Sequence, residues 1–333
     1  MRFLAFAFLP ASLLAADLAV EKESDSIAIK HGTEIVAVYR IGEKVAKPYL
    51  WPLRAPGGSS VTRNWPMEKG TPNETTDHVH QKSAWFCHGD VIAEGLEPKT
   101  KSSDKRVHGV DFWSESAGHG RIVCTEVGKI AAKDGVATIP TKNEWRSPDG
   151  DVVLEEERTL VISTSKLGYL IAFDIVLKAT NYPIAFGDTK EGSFGVRVPD
   201  SFATSAEGST GTVSSSDGTT AEPKKKGTLK LWGQLADWND YSGKVSESTA
   251  GIAIFDHPKN PHRAAWHTRD YGLMAANPFG RAESGFPSQK GKTELVKIKK
   301  GESLHLRYAI YTHTGDAKAG GVAEAYKAYA ERK

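Results

Sequence analysis

The stretch Thr159–Lys178, TLVISTSKLGYLIAFDIVLK, decides the fold class. Leu160 and Ile162, then Tyr169, Ile171, Phe173, Ile175 and Leu177, fall on every second residue, the repeat of a strand with one buried face. A helix would place its apolar side chains three and four residues apart instead. Between the two runs, Ser163–Gly168 supplies turn residues. The spacing predicts a half-buried antiparallel hairpin. The same texture recurs outward from it. Leu18–Lys22, Ser26–His31 and Glu34–Arg40 read as an opening meander, and Leu304, Leu306, Tyr308 and Ile310 mark a late core strand. Val322, Ala325, Tyr326 and Tyr329 keep helical spacing. The expected fold is therefore all-β: a large antiparallel β-sandwich with a short C-terminal helix, residues 17–333 forming a single domain.

The chain has 333 residues, 39% of them hydrophobic, and a formal net charge of +2, the profile of a soluble globular protein. It has no basic helix or Lys/Arg stripe, so no nucleic-acid partner is expected. Residues 1–16, MRFLAFAFLPASLLAA, read as a secretory signal peptide: Arg2, an apolar run, then Ala15 and Ala16. The run is too short to span a bilayer, and no later apolar segment reaches that length. A secreted, periplasmic protein beginning near Asp17, with no membrane span after signal removal, is the expectation. The two cysteines, Cys87 and Cys124, either pair in that oxidising compartment or stand as lone thiols.

The ionisable residues are concentrated in a few stretches. In Asp77–Asp90, DHVHQKSAWFCHGD, a strand reading puts Ala84, Phe86, His88 and Asp90 on one side. His78, His80 and Lys82 join that side if the extended register continues upstream. Trp85, Cys87 and Val91 then take the other side, which suits burial. This predicts the floor of a polar cleft, against the plainer alternative of a solvated strand face. Lys47–Pro66 reads as a Pro/Gly-rich loop carrying Trp51, Arg54, Arg63 and Trp65. Val107–Glu115 reads as a strand with Asp111 and Trp113 on one face, a pairing suited to a sugar ring. In Gly187–Val198, GDTKEGSFGVRV, the apolar face of Phe194, Val196 and Val198 leaves Glu191, Ser193 and Arg197 opposite, with Lys190 at the entrance. Ser205–Gly227 reads as a flexible loop. In Gly251–Gly280, His267, Arg269 and Tyr271 share a parity opposite Trp266 and Thr268, and Asn260 and Asn277 each precede a proline.

Imidazoles and carboxylates gathered in a cleft suit proton transfer. The sequence nominates His80, His88, Glu191 and His267 as catalytic. Arg63, Asp77, His78, Lys82, Asp90, Asp111, Trp113, Lys190, Arg197, Asn260, Arg269, Tyr271 and Asn277 are the candidate substrate-binding residues. The substrate class is a carbohydrate or another small polar molecule, processed by a hydrolase, lyase or epimerase type of reaction. No cofactor is required. A divalent metal on His78, His80 and His88 is one alternative, and a non-catalytic sugar-binding protein is the other.

DHxH…WFxHGDV, GVDFW, DTKEGxFGxR, FDHPxNP…WHxRxYGLxAANPFG and GESLxLRY, in that order from about Lys47 to the C-terminus, resemble a bacterial family of unknown function labelled PmoA or methane oxygenase PmoA, found in planctomycetes and related bacteria. Gln81-Lys82 departs from the His-Arg usual there. The resemblance implies a supersandwich of the galactose-mutarotase type, a fold shared by sugar epimerases, polysaccharide lyases and glycoside-hydrolase domains. Its label implies a metal-binding oxidoreductase as the alternative activity.

Overall fold

The computed structural model describes residues 17–224 and 226–332; the expected signal peptide lies outside the described residues. The hairpin is formed by strands Val152–Thr164 and Gly168–Lys178, with Leu160 opposite Phe173 and Ile162 opposite Ile171. Ile171, Ile175 and Leu177 are fully buried, each worth roughly 1.5–3 kcal/mol of apolar burial. The hairpin is central to a sheet that is antiparallel throughout. On one side it continues through Val136–Arg146 to Arg121–Val127 at the edge. On the other it continues through Ser303–Thr314, Ser248–Asp256 and Trp238–Val245.

Among the described residues a second antiparallel sheet has eight strands. The meander Leu18–Lys22, Ser26–His31 and Glu34–Arg40 leads through Tyr49–Leu53 and Ala84–His88 to Gly192–Arg197, Leu273–Asn277 and Ala265–Trp266. The two sheets pack face to face. Phe86 and Phe194 of the second sheet meet Tyr308 of the first at ring distances of 6.4 and 5.2 Å, and Phe194 lies 4.8 Å from Phe173. The helix Val322–Ala330 covers the far side of the larger sheet, where Val322 and Tyr329 pack with Leu170, Phe255 and Tyr311. The molecule is thus all-β, with large antiparallel sheets and a short C-terminal helix.

Several local expectations are corrected. Strand Ala84–His88 does not extend upstream: His78 and Ser83 take positive φ (43° and 56°), and the chain turns at 79–80 and bends at Ser83. His78, His80 and Lys82 therefore share no strand face with Phe86. Both faces of this strand are buried, and the polarity assigned to them is reversed. Phe86 points into the inter-sheet core, while Trp85 points outward beneath loops, against Trp113 at 5.1 Å. Val107–Glu115 is loop apart from a single bridge at Val110, and Trp113 is buried. Lys47–Pro66 contains strand Tyr49–Leu53, and Ser205–Gly227 contains the short strands Thr212–Ser215 and Thr220–Ala221. Cys87 and Cys124 are unpaired, on strands of different sheets; burial pushes the Cys87 thiol up to about 12.

Candidate functional site

The site lies on the outward face of the eight-stranded sheet. Gly195, opposite Trp85 in register, leaves room for that indole: a Cβ there would sit 2.8 Å from the ring. Loops from 77–81, 104–114, 187–191 and 267–271 rise around this floor and enclose a cleft of about 720 Å³. Of the nominated residues, His78, His80, Asp90, Asp111 and Trp113 line it from one side of the chain order. Lys190, Glu191, His267, Arg269 and Tyr271 line it from the other.

His267 follows strand Ala265–Trp266, and its backbone still pairs with Ala275 (2.8 and 3.2 Å). That pairing holds the alternation, so Trp266 enters the core while His267 faces the cleft. Nδ1 lies 2.8 Å from the Lys190 carbonyl, which only accepts, so Nδ1 carries the proton and Nε2 is a bare acceptor. Nε2 is buried without a partner among the described residues. Burial pushes the pKa down to about 4, against the pull of Glu191 and aided by Arg269 and Lys190. His80 is likewise pushed down to about 4, first by burial and then by the charges of Lys47 and His78. Both imidazoles are neutral at ordinary pH.

Glu191 pairs with the Lys190 ammonium at 2.9 Å, and its carbonyl accepts from Gly89 at 2.7 Å. Burial would raise its pKa, but His267 in its protonated form and the Lys190 ammonium hold it below the usual carboxylate range; at ordinary pH the ammonium beside it keeps it ionised. The cleft therefore combines an ionised carboxylate with two neutral imidazoles, one of them a fixed proton acceptor. Such groups take a proton from one position of a bound molecule and return one to another.

Other nominated residues stand behind the cleft. Arg63, fully buried, donates to the Asp77 carboxylate at 2.6 Å and to the carbonyls of Asp77 and His78. Arg197 donates to Gln81 (2.6 Å) and Asp77 (3.1 Å), and its guanidinium lies 4.7 Å from the Tyr271 ring. Burial would raise the Asp77 pKa, but His78, Arg197 and Arg63 hold it well below the carboxylate range. Asp77 in turn holds His78 Nδ1 at 2.8 Å, and the His78 ring stacks on Tyr271 at 5.3 Å. Arg63, Asp77 and Arg197 thus position the cleft wall rather than line it. Lys82 is bound to Glu115, which also takes Lys47 at 2.7 Å, forming a buried support under the wall.

Three nominations are corrected outright. His88 is fully buried, with Nε2 at 2.9 Å from the Gly187 carbonyl, Nδ1 at 3.3 Å from the Ser193 hydroxyl, and Phe279 across its ring at 4.9 Å. Its place on the strand's core-facing side separates it from His78 and His80. Asn260 bridges Asp256 (2.7 Å) and the Arg307 backbone (2.7 and 2.8 Å), a turn bound to the other sheet. Asn277 accepts from Phe279 and Gly280 and donates to Thr189, pinning the loop that carries Glu191.

The carboxylates of Asp90 and Asp111 line the cleft but are engaged by backbone N–H groups, of His108 and Gly109 and of Trp113 and Ser114. Sequence reasoning missed Asp188, which accepts three backbone N–H bonds from Arg281, Glu283 and Ser284 at 2.6–2.9 Å. It also missed Gln81, Asp104, Arg106 and His108. Asp188 sits in the DTKEG run, where its neighbours Lys190 and Glu191 carried the attention; the other four sit in turns with no periodic pattern. Among the described residues no group of three or more His, Cys, Asp or Glu side chains is placed to hold a metal ion. The His78 and His80 rings meet edge to face at 5.7 Å.

His80, His88 and His267 all have pKa values lowered to about 4 by burial. The unfolded chain, with histidines near 6.5, binds more protons between those values, so folding stability falls as pH drops from about 6.5 to 4. Each histidine contributes a slope of up to about 1.4 kcal/mol per pH unit. Urea midpoints that shift strongly downward between neutral pH and about pH 5 are the expected result. Buried Asp90, Asp240 and Asp256, whose pKa values burial raises, oppose the trend at the acid end.

Fold and site together define an antiparallel β-sandwich with an imidazole- and carboxylate-lined cleft on one outer face. The chain belongs to a family of unknown function, DUF6807, whose model matches residues 26–327. That match carries no methane-oxygenase label, so the resemblance holds at the level of an uncharacterised family. No curated protein matches in sequence. Among solved structures, a galactose mutarotase-like protein from Clostridium acetobutylicum shares 13% identity over 90% of this chain and 99% of its own, with a TM-score of 0.45. Galactose 1-epimerase from Lactobacillus acidophilus shares 7% over 90% and 99%, TM-score 0.40. The α-galactosidase from Lactobacillus brevis shares 9% with a TM-score of 0.40; the match covers 90% of this chain but only 39% of that enzyme.

Proposed function

We propose that this chain is a carbohydrate-active enzyme moving protons on and off a sugar or glycoside bound in the cleft, a hydrolase, lyase or epimerase type of chemistry. The observation that carries the reading is the buried, unpartnered Nε2 of His267, fixed as an acceptor by the Lys190 carbonyl and set beside an ionised Glu191. A buried polar atom without a partner costs stability, and a bound hydroxyl or C–H acid removes that cost. In this reading Glu191 or His267 takes the proton and, once protonated, returns it, while neutral His80 offers its N–H as a hydrogen-bond donor to the bound sugar. Asp77 and Arg197 hold the wall formed by His78 and Tyr271. A site of this volume takes one or two sugar rings. With the signal peptide expected at residues 1–16, the reaction takes place outside the cytoplasm. The metal-centred oxidoreductase implied by the earlier resemblance has no comparable side-chain arrangement in its favour among the described residues.

The test is a substrate panel of free aldoses and of neutral and acidic oligosaccharides, followed by NMR for anomeric exchange, new reducing ends and unsaturated products. Glu191→Gln, with an unchanged thermal transition, is expected to lower the turnover found by on the order of 10²-fold or more. Binding without turnover anywhere in the panel, or full activity in Glu191→Gln, overturns the proposal.

A further inference from the structure

The three lysine and arginine side chains of the cleft differ in what they are paired with. Lys190 is held by Glu191 at 2.9 Å and Arg106 by Asp104 at 2.6 Å. Arg269, partly exposed, has no carboxylate partner among the described residues. Aromatic rings hold it instead: its guanidinium carbon lies over the Trp232 ring at 5.3 Å and the Tyr271 ring at 5.2 Å. Cation–π contacts use the flat side of a guanidinium, so its in-plane N–H donors stay free in a fixed orientation. Trp232 also abuts His267 at 4.9 Å, so this cation and the unpartnered Nε2 flank the same indole. None of the other acids lining the cleft pairs with it among the described residues. Asp90, Asp111 and Asp188 are engaged by backbone N–H groups, and Glu283 is exposed.

We propose that Arg269 is the carboxylate-binding residue of the cleft, selecting a uronic acid, or an oligosaccharide that contains one, over its neutral counterpart. A planar fork of N–H donors matches a carboxylate with two parallel bonds, a geometry that neither a hydroxyl nor a lone lysine reproduces. The assignment deepens the acid–base reading, since the same sugar must reach His267 and Glu191, but it is tested by binding alone.

The experiment titrates the whole protein, by tryptophan fluorescence, with galacturonate and glucuronate oligomers, their neutral counterparts and galactose 6-sulfate. Uronates are expected to bind roughly tenfold or more tightly than the neutral sugars. The preference weakens as salt is raised. Arg269→Gln removes the preference, read as the ratio of uronate to neutral-sugar affinity within the same folded variant, and Arg269→Lys restores part of it. Equal binding of charged and neutral sugars, or a preference intact in Arg269→Gln, overturns the assignment. A sulfated sugar binding more tightly than a uronate overturns the choice of carboxylate. Turnover of neutral sugars with no uronate preference sinks this inference and leaves the acid–base reading standing; no binding by any sugar sinks both.

Discussion

Replacing His267 with glutamine is expected to lower kcat by roughly 10²–10⁴-fold on whichever sugar the panel identifies, the usual worth of a positioned general base. Glutamine fills similar space and keeps a hydrogen-bonding end, so the strand pairing to Ala275 and the packing of Trp266 are expected to survive. What it removes is the bare nitrogen. The pH profile separates this role from a structural one. Burial holds the imidazole pKa near 4, and the active form is the unprotonated one. Activity in the parent protein is therefore retained well below pH 6.5 and falls as pH drops through about 4. In His267→Gln the imidazole's share of that limb is lost, and what remains comes from Glu191 and His80. A limb near 6.5 in the parent would show that the ring titrates as an exposed histidine and that the buried geometry is wrong. The measurement is kcat/KM across pH, collected where the acid unfolding described above has not begun.

The largest stability effect is expected away from the cleft, between the sheets. Glu156 and Arg158, 1% exposed each, form an ion pair in the core. The Glu156 carboxylate also accepts from Trp145 Nε1 (2.7 Å) and Asn143 (3.2 Å), and Arg158 donates to the Tyr39 hydroxyl (3.2 Å). The guanidinium lies 5.7 Å from the Phe86 ring, directly behind the strand whose other side floors the cleft. Glu156→Leu leaves a buried, uncompensated arginine and strips two donors of their acceptor. The expected cost is about 3–5 kcal/mol, read as a lower urea midpoint at unchanged slope. Adding Arg158→Met to Glu156→Leu replaces the pair with apolar volume and is expected to recover most of that loss. If the double variant is no more stable than the single one, the network's hydrogen bonds, rather than the unpaired charge, carry the stability.

Much of this architecture is written in the local pattern of residues. The alternation in Tyr169–Leu177 and Leu304–Ile310 fixes which side chains are buried, because the two-residue period of a strand admits one such assignment once its register is set. The meander Leu18–Arg40 and the helix Val322–Ala330 follow from equally local signals. Even the facing of His267 away from Trp266 is a parity argument that the backbone pairing to Ala275 keeps valid.

That reasoning fails where the chain leaves regular structure. Asp77–Ser83 has strand-like composition but turns at His78 and Ser83, so parity carried upstream from Phe86 put His78, His80 and Lys82 on a strand face that does not exist. His88 lies in the strand itself, yet alternation says only that two faces differ, not which one meets the opposite sheet. That choice belongs to Phe86 and Phe194 packing on Tyr308, contacts between residues more than a hundred positions apart.

The amino-acid order alone determined the long core strands with their burial alternation, the opening meander and the pool of ionisable residues, because each depends on neighbours a few positions away. The tertiary structure decided which of those residues share a cleft, which became buried supports, and which cation was left without a counter-charge. Those outcomes depend on loops from distant segments meeting over one sheet face, and no local period encodes that meeting.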